Sequence, residues 1–148
     1  AVNILQQNQS NDVDSLLNLC HSALKKTRGA AISLASIHIP SFMMSWVGVG
    51  NVEGVCIKNC KEKDNKRETL LLRNGIVGYK YVKPRISTLQ LNEGDLIIFV
   101  TDGIQTSFLE GVPLDKPCQE ISDTIMNKFW RKNDDALTLV IRIIGIIE

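Results

Sequence analysis

The sequence predicts an α+β domain built in layers, with antiparallel strands flanked by helices. Two long segments, one near each end of the chain, place apolar residues at helical spacing. Between them, short apolar or alternating stretches are separated by turn-forming residues, which is typical of antiparallel strands. A last apolar stretch follows the second helical segment. The predicted order is therefore helix, antiparallel strands, helix, strand.

Length and composition narrow the class of protein. The chain has 148 residues, of which 44% are apolar and 22% charged, and this predicts a single domain over residues 1–148. A net charge of +1 and 5% aromatic residues give no support for a nucleic-acid partner or an anionic membrane surface. No signal peptide or membrane-spanning stretch is recognisable. We expect a cytoplasmic protein with no nucleic acid and no membrane among its partners.

The spacing of the cysteines does not indicate a metal site. Cys56 and Cys60 are four positions apart, but no nearby His or Cys pair completes a zinc set. His21 and His38 stand apart in the sequence and are predicted to lie in a helix and a strand, where histidines are more often structural. Isolated thiols are therefore favoured over a zinc site, and they fit a reducing compartment.

The two helices are predicted from their apolar sides. Residues 1–9 are predicted as a loose entry, with Ser10 or Asn11 as the N-cap of the first helix and Gly29 at its end. The second helix is predicted over residues 115–131. The apolar sides consist of Val13, Leu16, Leu17, Cys20 and Leu24 in the first helix, and Ile121, Ile125 and Phe129 in the second.

The strands are predicted from apolar runs bounded by turn residues. The first two form a hairpin across Pro40 and Ser41, and a charged loop over residues 59–67 follows the third. The turn Asn92–Asp95 leads into the sixth strand, and a short helical turn is predicted over residues 106–110. The predicted strands cover residues 30–39, 42–49, 52–58, 68–72, 86–91, 96–101 and 136–144.

The sixth strand carries the first candidate site residue. Leu96–Val100 is apolar at every position, which predicts a strand buried on both faces. Asp102 and Gly103 follow it, so a rigid strand carries a carboxylate to the rim of a sheet. A lone carboxylate in an apolar setting is strongly disfavoured, which predicts a cation or a donor beside it. The alternative is an Asp-Gly turn capped by its own side chain.

A second pair of carboxylates precedes the last strand. If that strand lies antiparallel and adjacent to the sixth, Asp134 and Asp135 converge with Asp102 at one rim. Like charges in close proximity require a cation between them, and oxygen ligands favour Mg²⁺ or Mn²⁺. Such an ion activates water and neutralises a phosphoryl group. The alternative is that Asp134 caps a turn and that the acidic residues are solvated.

These stretches resemble a known family. Val100-Thr101-Asp102-Gly103 and the segment 132–140 resemble the last two motifs of the metal-dependent type 2C (PPM-type) protein phosphatases. The resemblance is closest to the bacterial branch typified by stage II sporulation protein E and RsbX. Segments 19–31, 47–52 and 75–78 resemble further pieces of that branch, in the same order. The ordered set covers residues 16–143.

The resemblance implies an α/β/β/α sandwich and bound Mn²⁺ or Mg²⁺. It places the metal site at Asp102 and Gly103 and at Asp134, with Asp135 as a weaker candidate, and the carboxylates of Asp102 and Asp134 would bind the metal. Metal-held water would attack a phosphoserine or phosphothreonine directly. The implied partner is a phosphorylated regulatory protein of the partner-switching or stressosome type. Gly50 and Asn51 would have a structural role.

One part of the family pattern is absent. The family has an earlier Asp-Gly motif whose Asp bridges two metals, whereas Asp12 and Asp14 here have no glycine after them. We expect either the C-terminal portion of a longer domain, lacking its N-terminal strands and prone to self-association, or a protein that has lost that site. We also expect weak Mn²⁺ binding and slow or absent hydrolysis. The alternatives are a catalytically silent phosphatase-like module that binds a regulatory partner, and an unrelated α+β scaffold.

Overall fold

A computed structural model describes residues 1–9, 12–60, 66–79 and 83–145. Its contacts divide the chain into two compact units, the first formed by Ala1–Val52 with Leu71–Gln90 and the second by Glu53–Leu70 with Leu91–Glu148. The single domain over residues 1–148 stays a prediction. The helices are α1 (Val2–Gln7), α2 (Val13–Leu24) and α3 (Cys118–Phe129); the strands are β1 (Ile32–His38), β2 (Met43–Val49), β3 (Glu53–Ile57), β4 (Arg67–Leu70), β5 (Ser87–Gln90), β6 (Leu96–Val100) and β7 (Thr138–Arg142).

The first unit has an antiparallel sheet in the order β1-β2-β5. The predicted hairpin is confirmed, since β1 pairs with β2 from Ile32 opposite Val49 to His38 opposite Met43. The apolar side of α2 packs in a core with residues of this sheet, as its periodicity predicts. The buried members of that core are Val13, Leu17, Cys20, Val47, Val49 and Val77.

The N-terminal predictions need two corrections. The N-cap of α2 is Asp12, whose carboxylate accepts the Ser15 backbone N–H at 2.9 Å and its hydroxyl at 3.1 Å. These bonds lower the pKa of Asp12. The predicted caps Ser10 and Asn11 are wrong, and both lie outside the described residues. The loose entry is also wrong, because part of it is helix α1, which places half-buried Ile4 and Leu5 against the α2 core.

The second unit has an antiparallel sheet in the order β4-β3-β6-β7. Strand β6 lies inside this sheet between β3 and β7, and all five of its residues are buried. The prediction of a strand buried on both faces is confirmed, because Ile97 is 0% exposed and Phe99 7%. Helix α3 packs Ile121 and Ile125 against one side of this strand. Antiparallel sheets with helices against them confirm the predicted α+β class.

Two elements of the second unit differ from their predicted bounds or type. Helix α3 is shorter than the predicted 115–131, because Pro117 is its N-cap and Trp130 is already extended. The predicted helical turn over residues 106–110 is wrong. The structure has successive turns there, closed by bonds from Phe108 N–H to the Gln105 carbonyl at 3.1 Å and from Glu110 N–H to the Ser107 carbonyl at 2.9 Å.

The turn before β6 is confirmed and is held by a buried carboxylate. Asp95 is 2% exposed and forms an ion pair with Lys58 at 2.7 Å. Its carboxylate also accepts the backbone N–H groups of Asn59 at 3.1 Å and Asn92 at 2.9 Å. A buried charge is tolerated only when it is paired and hydrogen-bonded, as Asp95 is here. These bonds fix the start of β6 against the end of β3. Residues 61–65 of the predicted charged loop lie outside the described residues.

Strand β7 is at the edge of its sheet as described. Leu137, just before it, is 59% exposed, and Leu139 within it is 47% exposed. Exposed apolar residues on an edge strand favour pairing with another chain, so self-association stays a prediction with a structural rationale. No helix in the described ranges is long and apolar enough to cross a membrane.

Candidate metal centre

The candidate site is built on the pairing of β6 with β7. These strands are adjacent and antiparallel, with Val100 opposite Thr138, as the carboxylate argument required. Thr101 extends the pairing beyond the strand end. Its backbone N–H donates to the Leu137 carbonyl at 3.1 Å, and its Oγ1 accepts the Leu137 N–H at 2.9 Å. The end of one strand is thereby joined to the approach to the other.

Gly103 brings the two acidic segments into contact. Residues 101–104 form a turn closed by the Ile104 N–H and the Thr101 carbonyl at 3.0 Å, so the Asp-Gly turn is present. Gly103 itself is buried. A Cβ at this position would overlap the carbonyl oxygen of Asp135 and lie 2.9 Å from its carbonyl carbon. Only a residue without a side chain allows the Asp102 turn to lie against Asp135.

A third segment, formed by Trp130 and Arg131, contacts both acidic segments. The Arg131 N–H donates to the Gly103 carbonyl at 2.9 Å, and Ile104 and Trp130 form an antiparallel bridge. The Trp130 indole N–H donates to the Asp134 carbonyl at 2.8 Å. Sequence reasoning missed the roles of Thr101, Trp130 and Arg131. The sequence indicates these residues only by their positions, since each lies within four residues of a candidate ligand.

The carboxylates themselves are accessible. Asp102, Asp134 and Asp135 are all exposed, and Asp134 Oδ1 accepts the Asp135 N–H at 2.8 Å. The turn-capping role of Asp134 is therefore present, while its Oδ2 makes no hydrogen bond among the described residues. Their roles as metal ligands stay predictions.

The carboxylates of this rim form a donor set for a divalent cation. Mg²⁺ is commonly held by one or two carboxylates, with water and phosphate oxygens as its other ligands, and Asp102 with Asp134 fits that chemistry. Within the described ranges, no group of three or more His, Cys, Asp or Glu side chains is arranged to hold a metal ion. The residues present fit a hard cation bound mainly through water and phosphate oxygens.

A polar cavity of about 420 Å³ is lined by residues that are close in sequence to Asp102 and Asp134. It is lined by Gln105, Thr106, Ser107, Arg131 and Asn133, and we call it the Arg131 cleft. Gln105 follows the Asp102 turn by two residues, and Asn133 precedes Asp134 directly. The cleft therefore belongs to the loops that carry the candidate ligands.

A separate cavity of about 470 Å³ lies in the first unit. Three of the segments that carry the family resemblance line it together, which sequence reasoning did not foresee. Gly50, with a φ of +120°, donates its N–H to the Arg73 carbonyl at 2.9 Å. A Cβ there would overlap the side chain of Ala31, in keeping with a structural role. The lining residues are Arg28, Gly29, Ala30, Ala31, Gly50, Asn51, Asn74, Gly75 and Ile76.

The histidines and cysteines have local roles. His21 Nδ1 accepts the Gly78 N–H at 3.0 Å, and His38 Nδ1 lies 2.7 Å from the Ser41 hydroxyl. All four cysteines lie within the described residues as free thiols. Burial is the main cause that raises the pKa of Cys56 to about 11, so this thiol is protonated at neutral pH.

No family model matches the chain. The phosphoserine phosphatase RsbX of Bacillus subtilis (strain 168) is 24% identical over 133 residues, which cover 89% of this chain and 65% of that protein. The chain thus spans slightly less than two thirds of this curated relative.

Solved structures share the fold. A protein described with the bacterial stressosome, a modular system adapted to control secondary messenger signalling, is 26% identical, with a TM-score of 0.78 and coverage of 93% of this chain and 71% of the other. RsbX in complex with magnesium is 24% identical, with a TM-score of 0.77 and coverage of 93% and 67%. The phosphatase domain of SpoIIE from Bacillus subtilis, presoaked with Mn, is 18% identical, with a TM-score of 0.65 and coverage of 99% and 73%.

These matches agree with the resemblance carried by Val100–Gly103 and by the segment 132–140. The fold class predicted from the sequence is confirmed, since the chain has the mixed helical and antiparallel fold of type 2C phosphatases. The chain is thus similar in sequence to RsbX, and its fold is similar to the folds of RsbX and of the SpoIIE phosphatase domain.

Proposed function

We propose that the protein is a metal-dependent protein serine/threonine phosphatase that acts on a phosphorylated regulatory protein. The observation that supports this most is the contact of Gly103 with Asp135, which brings the Asp102 turn and the Asp134–Asp135 segment to one rim. Sequence similarity to a phosphoserine phosphatase agrees with the chemistry of that rim.

Each chain residue has a defined part in this proposal. Asp102 and Asp134 hold Mn²⁺ or Mg²⁺, with Asp135 beside them. When bound, the cation supplies charge neutralisation and an activated water, so that no covalent enzyme intermediate is needed. Gly103 and Thr101 position the carboxylates through the backbone contacts described above. Exposure of the rim gives a phosphorylated side chain access.

The substrate class is part of the same proposal. A relative described with the bacterial stressosome and the likeness to RsbX support a partner-switching or stressosome-type phosphoprotein as substrate. The location we propose is the cytoplasm, because its reducing conditions keep thiols such as the four described here free.

The test is release of phosphate from a phosphoserine peptide, with Mn²⁺ and with EDTA. Slow release that depends on Mn²⁺ is expected. Asp102→Asn and Asp134→Asn should each lower it at least about a hundredfold, because the ion supplies several kcal/mol of transition-state stabilisation. Asp115→Asn, a change at an exposed position of the same unit, is the matched control and should retain the rate. Equal rates in all four proteins would contradict the assignment.

The alternative is a catalytically silent module that binds a regulatory partner. One observation favours it: the described residues assemble no metal cage of three or more side chains. This alternative predicts binding of a phosphoprotein partner without Mn²⁺-dependent release of phosphate. The assay above, combined with a pull-down of the phosphoprotein, separates the two.

A further inference from the structure

The Arg131 cleft has an unusual donor composition. Its lining residues carry two amides, two hydroxyls and one guanidinium, and each of these groups can donate hydrogen bonds. None of the described residues that line it carries a carboxylate. Such a lining suits a ligand that is negatively charged and has several acceptor oxygens.

Arg131 is the cationic residue of this cleft, and among the described residues its guanidinium makes one long hydrogen bond. Its Nε donates to the Ile104 carbonyl at 3.4 Å, near the limit for a hydrogen bond. Among the residues that the structure describes, its two terminal nitrogens donate no hydrogen bond. Within the described ranges, ion pairs join Lys58 to Asp95 and Lys66 to Glu68, and neither pair includes Arg131. The fork of the guanidinium is available to a ligand.

The backbone holds this arginine in place. Its N–H is bonded to Gly103, one residue after Asp102, as described above. The next residue, Lys132, has a φ of 59°, a left-handed conformation that is uncommon for a residue with a long side chain. Backbone strain of this kind persists where the surroundings fix it, and it is concentrated at functional sites.

We propose that the Arg131 cleft binds the phosphoryl group of a phosphate monoester, with Arg131 as its principal ligand. The identification of the monoester rests on the proposed function. A phosphate monoester is close to a dianion with three acceptor oxygens, and the planar fork of arginine matches two of these at once. Thr106, Ser107 and the amides supply the remaining donors. Arg131 is thus a substrate-binding residue supplied by the loop between α3 and β7.

The test is binding without metal, followed by NMR. N-acetyl-phosphoserine amide is titrated into the full chain in EDTA, and amide signals of residues 105–107 and 131–133 are expected to shift. Arg131→Gln should weaken this binding at least about tenfold, since bonds to charged groups are among the strongest. Arg131→Lys keeps the charge but not the planar fork, so its affinity should lie between those of the original chain and Arg131→Gln.

Matched controls separate the guanidinium from general effects. Arg67→Gln makes the same change at an exposed position of β4 in the same unit and should leave the affinity unchanged. Arg131→Gln retains the backbone N–H, and the dispersion of its amide spectrum reports whether it is folded. N-acetylserine amide, without phosphate, should cause no shifts.

Two groups of outcomes overturn the proposal. It fails if Arg131→Gln and Arg67→Gln bind as tightly as the original chain, or if none of the proteins binds the phosphoserine compound. Equal affinity for inorganic phosphate would assign the cleft to free phosphate and also overturn it. The proposed function is tested separately: Mn²⁺-dependent release with an unchanged KM in Arg131→Gln leaves that function standing and removes the cleft. The reverse result is also possible: the original chain binds the phosphoserine compound without metal, Arg131→Gln does not, and the original chain releases no phosphate. That result leaves the cleft standing and removes the proposed function.

Discussion

Gly103 and Asp135 are in backbone contact, and this contact joins the two acidic segments of the site. The missing side chain of Gly103 is the condition for it, because a Cβ would overlap the Asp135 carbonyl oxygen. The φ of Gly103 is not among the left-handed values, so space is the reason for glycine here. Glycine at position 103 is thus required by packing against Asp135.

The first prediction concerns this contact. Gly103→Ala should destabilise the protein by about 1–3 kcal/mol, as overpacking of a tight site does, and should move the segment that carries Asp134. Urea unfolding measures the first effect. Gly111→Asn is the control, since nothing lies within 4 Å of a Cβ at Gly111 and asparagine tolerates its φ of +66°. Equal stabilities of the two variants would show that the contact is looser than described.

A second prediction concerns metal binding in the absence of substrate. Mn²⁺ should raise the melting temperature, because a ligand that binds only the folded state stabilises it. Asp102→Asn should remove most of that increase, whereas Asp115→Asn should retain it. Differential scanning fluorimetry over a range of Mn²⁺ concentrations measures both. The same increase in all three proteins would place the ion elsewhere.

The third prediction concerns the central strand of the second unit. Ile97 is fully buried in β6, so Ile97→Ala should cost about 2–5 kcal/mol, and Phe99→Ala a similar amount. Ile144, 73% exposed in the same unit, is the control, and its change to Ala should cost less than about 0.5 kcal/mol. Chemical denaturation measures all three. A cost below about 0.5 kcal/mol for both strand variants would contradict the burial of β6.

The fourth prediction compares two ion pairs. Asp95→Ala removes the buried carboxylate that pairs with Lys58 and accepts two backbone N–H groups, and it should cost about 3–5 kcal/mol. Glu68→Ala breaks a pair with Lys66, whose side chain is 77% exposed, and should cost less than about 1 kcal/mol. Urea unfolding gives both values. Similar costs for the two variants would mean that the Asp95 turn is not a structural anchor.

The fifth prediction follows from the raised pKa of Cys56. At pH 8 this thiol is protonated and buried, so iodoacetamide should modify half-buried Cys118 at least about a hundredfold faster. Because the folded pKa lies above the unfolded value near 9, this group favours the folded state below pH 9. That contribution is lost as the pH rises towards 11. Mass spectrometry of timed digests gives the two rates, and equal rates would contradict the assigned burial.

The sequence alone determined the elements whose signal is local. The helical spacing of Val13, Leu17 and Cys20, the hairpin across Pro40 and the apolar run Leu96–Val100 each predict their own structure, because periodicity and turn chemistry act over a few residues. The positions of Asp102 and Asp134 at strand ends follow from the same signal. Boundaries were less certain, as the N-cap at Asp12 shows, since neighbouring polar residues compete for that position.

Only the tertiary structure decided what these residues contact. The hydrogen bond from Trp130 to Asp134, the packing of Gly103 on Asp135 and the bond from Arg131 to Gly103 join positions between 4 and 32 residues apart. Such contacts depend on which strands pair and on how closely two backbones approach. No periodicity in the sequence encodes the distance between two backbones that are far apart along the chain. The candidate ligands were therefore visible in the sequence, whereas the cleft beside them became visible only once β6, α3 and β7 were placed together.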